Sequence, residues 1–287
     1  MDDWLSRFLA AEGLPPAYAQ VVERVCTPLA DTIVARRTGP GFVVGICGAQ
    51  GSGKSTLSAV LAHQLEARGL KVATLSIDDL YLTRAERQVL AREVHPLLAT
   101  RGVPGTHDVD LGVQELAALA QSGRIALPRF DKAVDDRAAP ETWPVIAGPV
   151  DVILFEGWCV GARPQAEADL AAPVNTLERE EDAGGAWRAY VNAALAGPYR
   201  RLFAPIGFQV LLRAPGFEVV LAWRREQEAK LRARLAAEGQ DQGRAMDDAG
   251  VARFIAHYER LTRWILADMP ARADLVLPMD EGRKIIA

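Results

Sequence analysis

The chain has 287 residues, 49% of them hydrophobic, and 33 Lys+Arg against 37 Asp+Glu leave a formal charge of −4. A chain this apolar and this weakly charged offsets its ordering entropy by burial, which excludes disorder as its main state, and its length suits one large α/β domain or two ordinary ones. The mild charge gives no general pull toward nucleic acid or anionic lipid. Cys26, Cys47 and Cys159 are too few and too scattered for a disulfide framework, and the acidic start MDDWLSRFLAAEG is not a signal peptide, so a cytoplasmic protein without a membrane span is the expectation.

In chain order, Leu5, Phe8 and Leu9 are helically spaced, Gly13 with Pro15-Pro16 interrupts, and Val21, Val22, Val25 and Leu29 resume the period. This predicts an N-terminal helical cap over 1–38. The character changes at Gly39-Pro40-Gly41, after which Phe42 to Cys47 is a continuous apolar run, as a buried parallel strand requires. Leu57, Val60, Leu61 and Leu65 predict a helix from Lys54 to Arg68, stopped by Gly69, and Lys71 to Ile77 predicts a second strand. Together these form a βαβ unit with a right-handed crossover. Further strands are expected at Val150 to Phe155, Phe208 to Leu212 and Asp274 to Pro278. A polar, Pro/Gly-rich stretch from about 80 to 149 interrupts the pattern, as does an acidic loop around Glu178-Arg179-Glu180-Glu181-Asp182.

Between the first strand and its helix lies Gly48-Ala49-Gln50-Gly51-Ser52-Gly53-Lys54-Ser55-Thr56, a G-x-x-x-x-G-K-[ST] sequence. Its glycines let successive N–H groups turn toward phosphate oxygens, and the helix that begins there presents its positive end. Gly48, Gln50, Gly51, Ser52, Gly53, Lys54, Ser55 and Thr56 are therefore the candidate nucleotide cradle, with Lys54 on the β/γ-phosphates and Ser55 on Mg²⁺. No Asn/Thr-Lys-x-Asp tetrapeptide for guanine occurs, so ATP is the expected nucleotide. The fold class that follows is α/β, a P-loop NTPase-type doubly wound parallel sheet flanked by helices, with the N-terminal helical cap and a helical lid.

Phosphoryl transfer needs metal ligands, a group that orients the attacking hydroxyl, and cations for the spreading charge. Asp78-Asp79 and Glu156 close two strands, and strand C-termini converge on the ligand edge of a parallel sheet. The alternative for Asp78-Asp79 is the N-cap of a helix from Leu80 to Arg92. Trp223-Arg224-Arg225, Lys230, Arg232 and Arg234 lie on a helix from about Phe217 to Glu238, before a polar break from Gly239 to Gly250. Residues 223–250 read as a lid with Arg224 as the phosphate clamp, against the alternative of a solvated helix face. On the acceptor side, Arg101, His107, Arg129, Lys132 and Arg137 offer donors for a carboxylate or phosphate, while Asp108 and Asp131 accept from hydroxyls. A small polyhydroxylated or anionic acceptor fits this mixture better than a protein or nucleic acid.

GAQGSGKST, SIDDLYLT, HPLLATRGVPGTHD, PRFDKA, DDR, FEGW, AYVN and AWRREQE, in this order over about 42 to 280, resemble the D-glycerate 3-kinase family of P-loop kinases, within the uridine kinase and phosphoribulokinase group. The resemblance implies a P-loop kinase domain over 39–287 that transfers phosphate from ATP, with Mg²⁺, to D-glycerate, giving 3-phosphoglycerate, with no nucleic-acid or membrane partner. It further implies Asp78 as catalytic base beside Lys54 and Glu156, and a metal held by Ser55, Asp78 and Glu156. Asp79, Tyr81, Arg101, His107, Asp108, Arg129, Asp131, Lys132 and Arg137 become the implied acceptor-binding set. Two features depart from the family pattern: only Ala133-Val134-Asp135 separates Lys132 from Asp136, where plant members carry a longer Gly-rich insertion, and Ala49 replaces proline. The rival readings are a kinase for a nucleoside, pantothenate or another sugar acid, and a non-catalytic nucleotide-dependent switch.

Overall fold

The computed structural model describes residues 3–237 and 246–286. The strands are β1 (Phe42–Gly48), β2 (Val72–Ser76), β3 (Gly123–Ala126), β4 (Phe130–Asp131), β5 (Asp136–Arg137), β6 (Val145–Gly148), β7 (Val152–Gly157), β8 (Ile206–Arg213) and β9 (Leu275–Pro278). Five of them form one parallel sheet in the order β2-β7-β1-β8-β9. From β1 the chain crosses to the edge strand β2, returns to β7, and only then passes to β8 and β9 on the far side. The direction of winding thus reverses at β1, and such a reversal opens a ligand crevice at the strands' carboxyl ends.

Alternate strand residues feed two cores. Val43, Cys47, Leu75, Ile153, Phe155 and Leu211 face one side, where Leu80, Leu116, Tyr199, Leu202 and Tyr258 cover them. Phe42, Val44, Ile46, Leu154, Phe208 and Val210 face the other, against Leu57, Val60, Leu61 and Leu65 of the helix Lys54–Glu66. Burial on both faces explains why these strands read as unbroken apolar runs. Leu5, Leu9, Cys26, Leu29 and Ile33 from the N-terminal helices join the second core, so this segment packs on the same layer as the Lys54–Glu66 helix. No helix among the described residues is long and apolar enough to cross a membrane.

Three expectations need revision. First, Asp78 and Asp79 lie in a 3₁₀ turn, Ile77–Leu80, and the following helix starts only at Arg84. Its N-cap is Thr83, in a reciprocal capping box with Glu86, so neither aspartate caps it. Second, the 80–149 stretch is more regular than its composition suggests: it holds the helices Arg84–Glu93 and Val109–Leu119 and the antiparallel pairs β3–β6 and β4–β5. Third, the acidic segment is a helix, Thr176–Glu181, capped by Asn175. Glu178 is buried there and accepts two bonds from Arg260 at 2.8 and 2.7 Å, and Asp182 is buried against Arg188 at 2.9 Å. Arg260, far along the chain, and Arg188, six residues on, neutralise what locally reads as a solvated loop. The expected lid begins as the helix Glu218–Ala237; residues 238–245 of it, and the side chains of Lys230 and Arg234, lie outside the described residues.

Candidate active site

The loop from β1 to its helix turns on Gly51 and Gly53, at φ +79° and +82°, which favour glycine. A Cβ on Gly51 would stand 2.9 Å from the Cβ of Trp223, so the helix Glu218–Ala237 lies directly on the loop. Trp223 is buried and anchored by its Nε1–H to the carbonyl of Glu281 at 2.6 Å. The first helical bond runs from Leu57 N–H to Gly53 O, and the N–H groups of Lys54, Ser55 and Thr56 precede the ladder. Ser52 Oγ is buried with no protein partner among the described residues. Its hydroxyl and the free N–H groups of a glycine turn at a helix start are donors that fit a phosphate chain.

Glu156, near the end of β7, stands in register between Ile46 of β1 and Ser76 of β2. It is buried and accepts from Ser55 Oγ–H at 3.2 Å, while its Oε2 has no partner among the described residues. No group of three or more His, Cys, Asp or Glu side chains among the described residues is arranged to cage a metal. One hydroxyl, one buried carboxylate oxygen and substrate phosphates are instead the donor set that suits Mg²⁺, which keeps several waters and rarely takes an all-protein cage.

Asp78 lies at the end of β2 and links two sides of the cleft. Its Oδ2 takes the Lys132 ammonium at 2.6 Å and its Oδ1 the Tyr81 hydroxyl at 2.8 Å. Burial pushes the carboxyl up, but the charges of Lys132 and Lys54 outweigh it and hold the group well below the usual carboxylate range. Adjacent Asp79 behaves oppositely, since burial pushes its carboxyl up despite Arg129 at 3.4 Å and the Phe130 N–H at 3.1 Å.

The segment 102–108 runs beside 80–82, with Leu82 N–H on Thr106 O at 3.0 Å and Asp108 N–H on Leu80 O at 2.7 Å. This stacks the ring of His107 on Tyr81 at 4.6 Å. His107 is buried, which pushes its imidazole down to about 3 and keeps it neutral. Arg137 donates to Asp108 Oδ2 and to Tyr81 O, both at 3.1 Å, while Asp108 Oδ1 caps the helix Val109–Leu119. A cavity of about 470 Å³ opens alongside, lined by Leu82, Gly105, His107, Asp108, Tyr190 and Tyr199 among others.

Lys54, Ser55, Glu156, Asp78, Tyr81, Lys132, His107, Asp108 and Arg137 thus come together, with Asp79 and Arg129 tying the β4–β5 hairpin beside them. Three other residues are engaged elsewhere. Arg101 pairs with Asp135 and lies over Phe130 at 5.5 Å. Asp131 is exposed and accepts from Ala133 N–H at 2.8 Å, closing the hairpin turn. Arg224 is held by Glu228 at 2.6 Å over the ring of Phe254. Sequence reasoning missed Arg87, fully buried and bonded to Asp135 at 2.9 Å, and Tyr199, bonded to His107. Arg87 carries no local signal, because an arginine inside an amphipathic helix reads as a surface residue.

Residues 20–81 match the family model described as methylmalonyl Co-A mutase-associated GTPase MeaB, a span that takes in β1, the glycine loop and β2. "Uncharacterized kinase mug58" of Schizosaccharomyces pombe is 34% identical, over 77% of this chain and 79% of its own length. The chloroplastic D-glycerate 3-kinase of Arabidopsis thaliana is 32% identical over 86% of this chain and 54% of its own, so the chain spans about half the length of that relative. Among solved structures, D-glycerate 3-kinase from Cryptococcus neoformans superposes with a TM-score of 0.72 at 26% identity, covering 91% of this chain and 97% of that one. The YGR205w protein shares the fold, with a TM-score of 0.66 at 24% identity, covering 93% and 95%.

Proposed function

This chain belongs to the D-glycerate 3-kinase family of P-loop kinases, and from that premise we propose that it transfers the γ-phosphate of ATP, with Mg²⁺, to the 3-hydroxyl of D-glycerate. One observation carries the reading: Asp78 feels the charge of the P-loop Lys54 on one side and bonds the acceptor-side Lys132 on the other. A hydroxyl held at that carboxylate therefore stands between the phosphate cradle and a cationic anchor.

In this scheme residues 39–287 form the kinase unit, about 80–149 bind the acceptor, and the described part of the expected lid, within the helix Glu218–Ala237, lies over the nucleotide loop. The backbone of Gly48 to Thr56 and the Lys54 ammonium hold the phosphates, and Ser55 with Glu156 would hold Mg²⁺. Bound there, Mg²⁺ would neutralise negative charge on the transferring phosphoryl group. Asp78, kept ionised by its two lysines, accepts the hydrogen bond of the attacking hydroxyl and aims it. A weakly basic carboxylate suffices, because a loose transition state asks for orientation more than proton abstraction. Lys132 and Arg137 face the acceptor carboxylate, and Tyr81 fixes Asp78. Arg101, Asp131 and Arg224, engaged elsewhere, take no direct part. A small hydroxy acid matches a pocket in which Lys132 and Arg137 can turn to a carboxylate beside an aspartate that accepts from a hydroxyl.

The test is product formation. Purified protein with MgATP is given D-glycerate, L-glycerate, uridine, pantothenate or no acceptor, and ADP and 3-phosphoglycerate are measured. Release of ADP only with D-glycerate supports the reading. A better nucleoside or pantothenate turnover would redirect it to another acceptor, and slow acceptor-independent hydrolysis would favour a nucleotide switch.

A further inference from the structure

The His107 imidazole has a buried hydrogen-bonding arrangement that determines which of its nitrogens carries the proton. Tyr199 is fully buried, and its phenol oxygen receives the Gly105 N–H at 3.0 Å. Among the described residues the phenol's own proton has one acceptor within reach, the Nδ1 of His107. The opposite arrangement, with Nδ1–H donating, would strand a buried O–H and leave Nε2 as an unpartnered acceptor as well, two unsatisfied groups in place of one. Nδ1 is therefore the acceptor, and in a neutral ring the proton sits on Nε2.

The ring cannot turn away from this geometry. Tyr81 stacks on one face with centroids 4.6 Å apart and Tyr199 closes the edge at 5.8 Å. Nε2 is buried and has no partner among the described residues. An N–H left in that condition costs about 1–3 kcal/mol in a folded protein, and native structures rarely tolerate it without a reason. The ring also lies close enough to Asp78 to feel its charge, and Tyr81 joins the two residues by stacking on one and bonding the other.

We propose that Tyr199 is a positioning residue that locks His107 in its Nε2–H tautomer, so that the acceptor site presents one neutral, fixed hydrogen-bond donor to a hydroxyl or carboxylate oxygen of the acceptor. The inference rests on the kinase reading for the identity of the acceptor, but the tautomer does not. Its consequence for recognition is that this donor selects for an oxygen at one place and adds no net charge to a site where Lys132 and Arg137 are already paired with Asp78 and Asp108.

Imidazole ¹⁵N NMR of the full chain decides the first part, with His107 assigned among the four histidines by its absence in His107→Gln. A protonated Nε2 and an unprotonated Nδ1 in the wild-type chain, with the Nε2 resonance moving on addition of D-glycerate, are the expected results. A protonated Nδ1, an imidazolium at neutral pH, or an Nε2 resonance indifferent to saturating acceptor would overturn the proposal. Steady-state kinetics read the second part. Tyr199→Phe should raise KM for the acceptor about tenfold, the worth of one misaligned hydrogen bond, with KM for ATP unchanged. His107→Gln, whose amide also donates, should recover most of the acceptor affinity lost in His107→Ala, and Tyr199→Phe should have little further effect in the His107→Gln background. An unchanged acceptor KM in Tyr199→Phe would sink the positioning role, and if that variant does not fold, the wild-type tautomer still decides. Failure of the wild-type chain to turn over D-glycerate would instead refute the substrate reading and leave the tautomer measurement standing.

Discussion

Asn in place of Asp78 removes a charge while keeping the shape, and the structure separates its effects. The Tyr81 hydroxyl, now 2.8 Å from Oδ1, can still donate to the amide oxygen. The other position becomes an NH₂ facing the Lys132 ammonium 2.6 Å away, a donor against a cation, so Lys132 swings out. The Lys132 side chain is 60% exposed, so solvent screening discounts the lost pair to about 0.5–1 kcal/mol, and relief of the desolvated carboxylate offsets part of that. Thermal stability at neutral pH should therefore fall by no more than about 4 °C. The chemical step should suffer far more, with kcat lower by about 10²–10⁴-fold, the usual worth of a positioned acid–base group. ATP affinity, measured by calorimetry, should hold within a few-fold and tend tighter, because Lys54 loses a nearby negative charge. The depressed carboxyl sets the pH dependence: Asp78 contributes stability above the unfolded value of about 3.9 and loses it as pH falls toward the lower folded value. Wild-type kcat should consequently show no acid limb from this group between about pH 5 and 8. A folded Asp78→Asn enzyme whose kcat stays within about threefold of wild type would refute the assignment.

The remaining expectations test its surroundings. Asp79→Asn keeps the Phe130 N–H bond, and because burial pushes the native carboxyl up, the protonated wild-type carboxyl contributes stability that is full below about pH 3.9 and is lost as the group ionises with pH rising through the folded value; denaturant melts at neutral pH should find the variant equal to or more stable than wild type, and a clear loss would contradict this. Glu156→Gln removes the unpartnered carboxylate oxygen beside Ser55 and should raise the Mg²⁺ needed for half-maximal velocity about 10-fold or more, readable by titration at fixed ATP. Gly51→Ala strains a residue at φ +79° and drives a methyl toward Trp223, so a loss of about 1–3 kcal/mol together with weaker nucleotide binding is expected, and an unchanged melt would show that the lid helix does not rest on the loop. Arg260→Met should cost about 3–5 kcal/mol by stranding Glu178 in the interior, while the double change with Glu178→Met recovers part of it; a melt of Arg260→Met near wild type would mean Glu178 finds water instead.

The β1–loop–helix unit and the central strands could be read from the chain because their signals are local: glycines where φ is positive, a lysine at a helix start, and apolar runs of strand length. The partners that give the site its chemistry, and those that neutralise buried charge outside it, are not local. Lys132 meets Asp78 across 54 positions, Asp135 meets Arg87 across 48, Arg260 meets Glu178 across 82 and Tyr199 meets His107 across 92. Periodicity is read in windows of about 11–18 residues, so pairings at those separations leave no trace in it. Other signals were local and overlooked: Thr83 to Glu86 is an S/T-x-x-E capping box that places the helix start, and Asn175 before Glu178 marks another.

The acidic pair shows where such reading stops for a physical reason. Consecutive side chains in a 3₁₀ turn diverge by about 120°, so Asp78 enters the cleft with Lys54 and Lys132 while Asp79 turns to the hairpin and Arg129. As continuations of β2 the two would also have pointed apart, to opposite faces of the sheet; at a helix start one would have been the cap and the other the first helical residue. The sequence allows all three geometries. What excludes the helix is the capping box at Thr83, which claims the helix start for itself and leaves the two aspartates free to do different work.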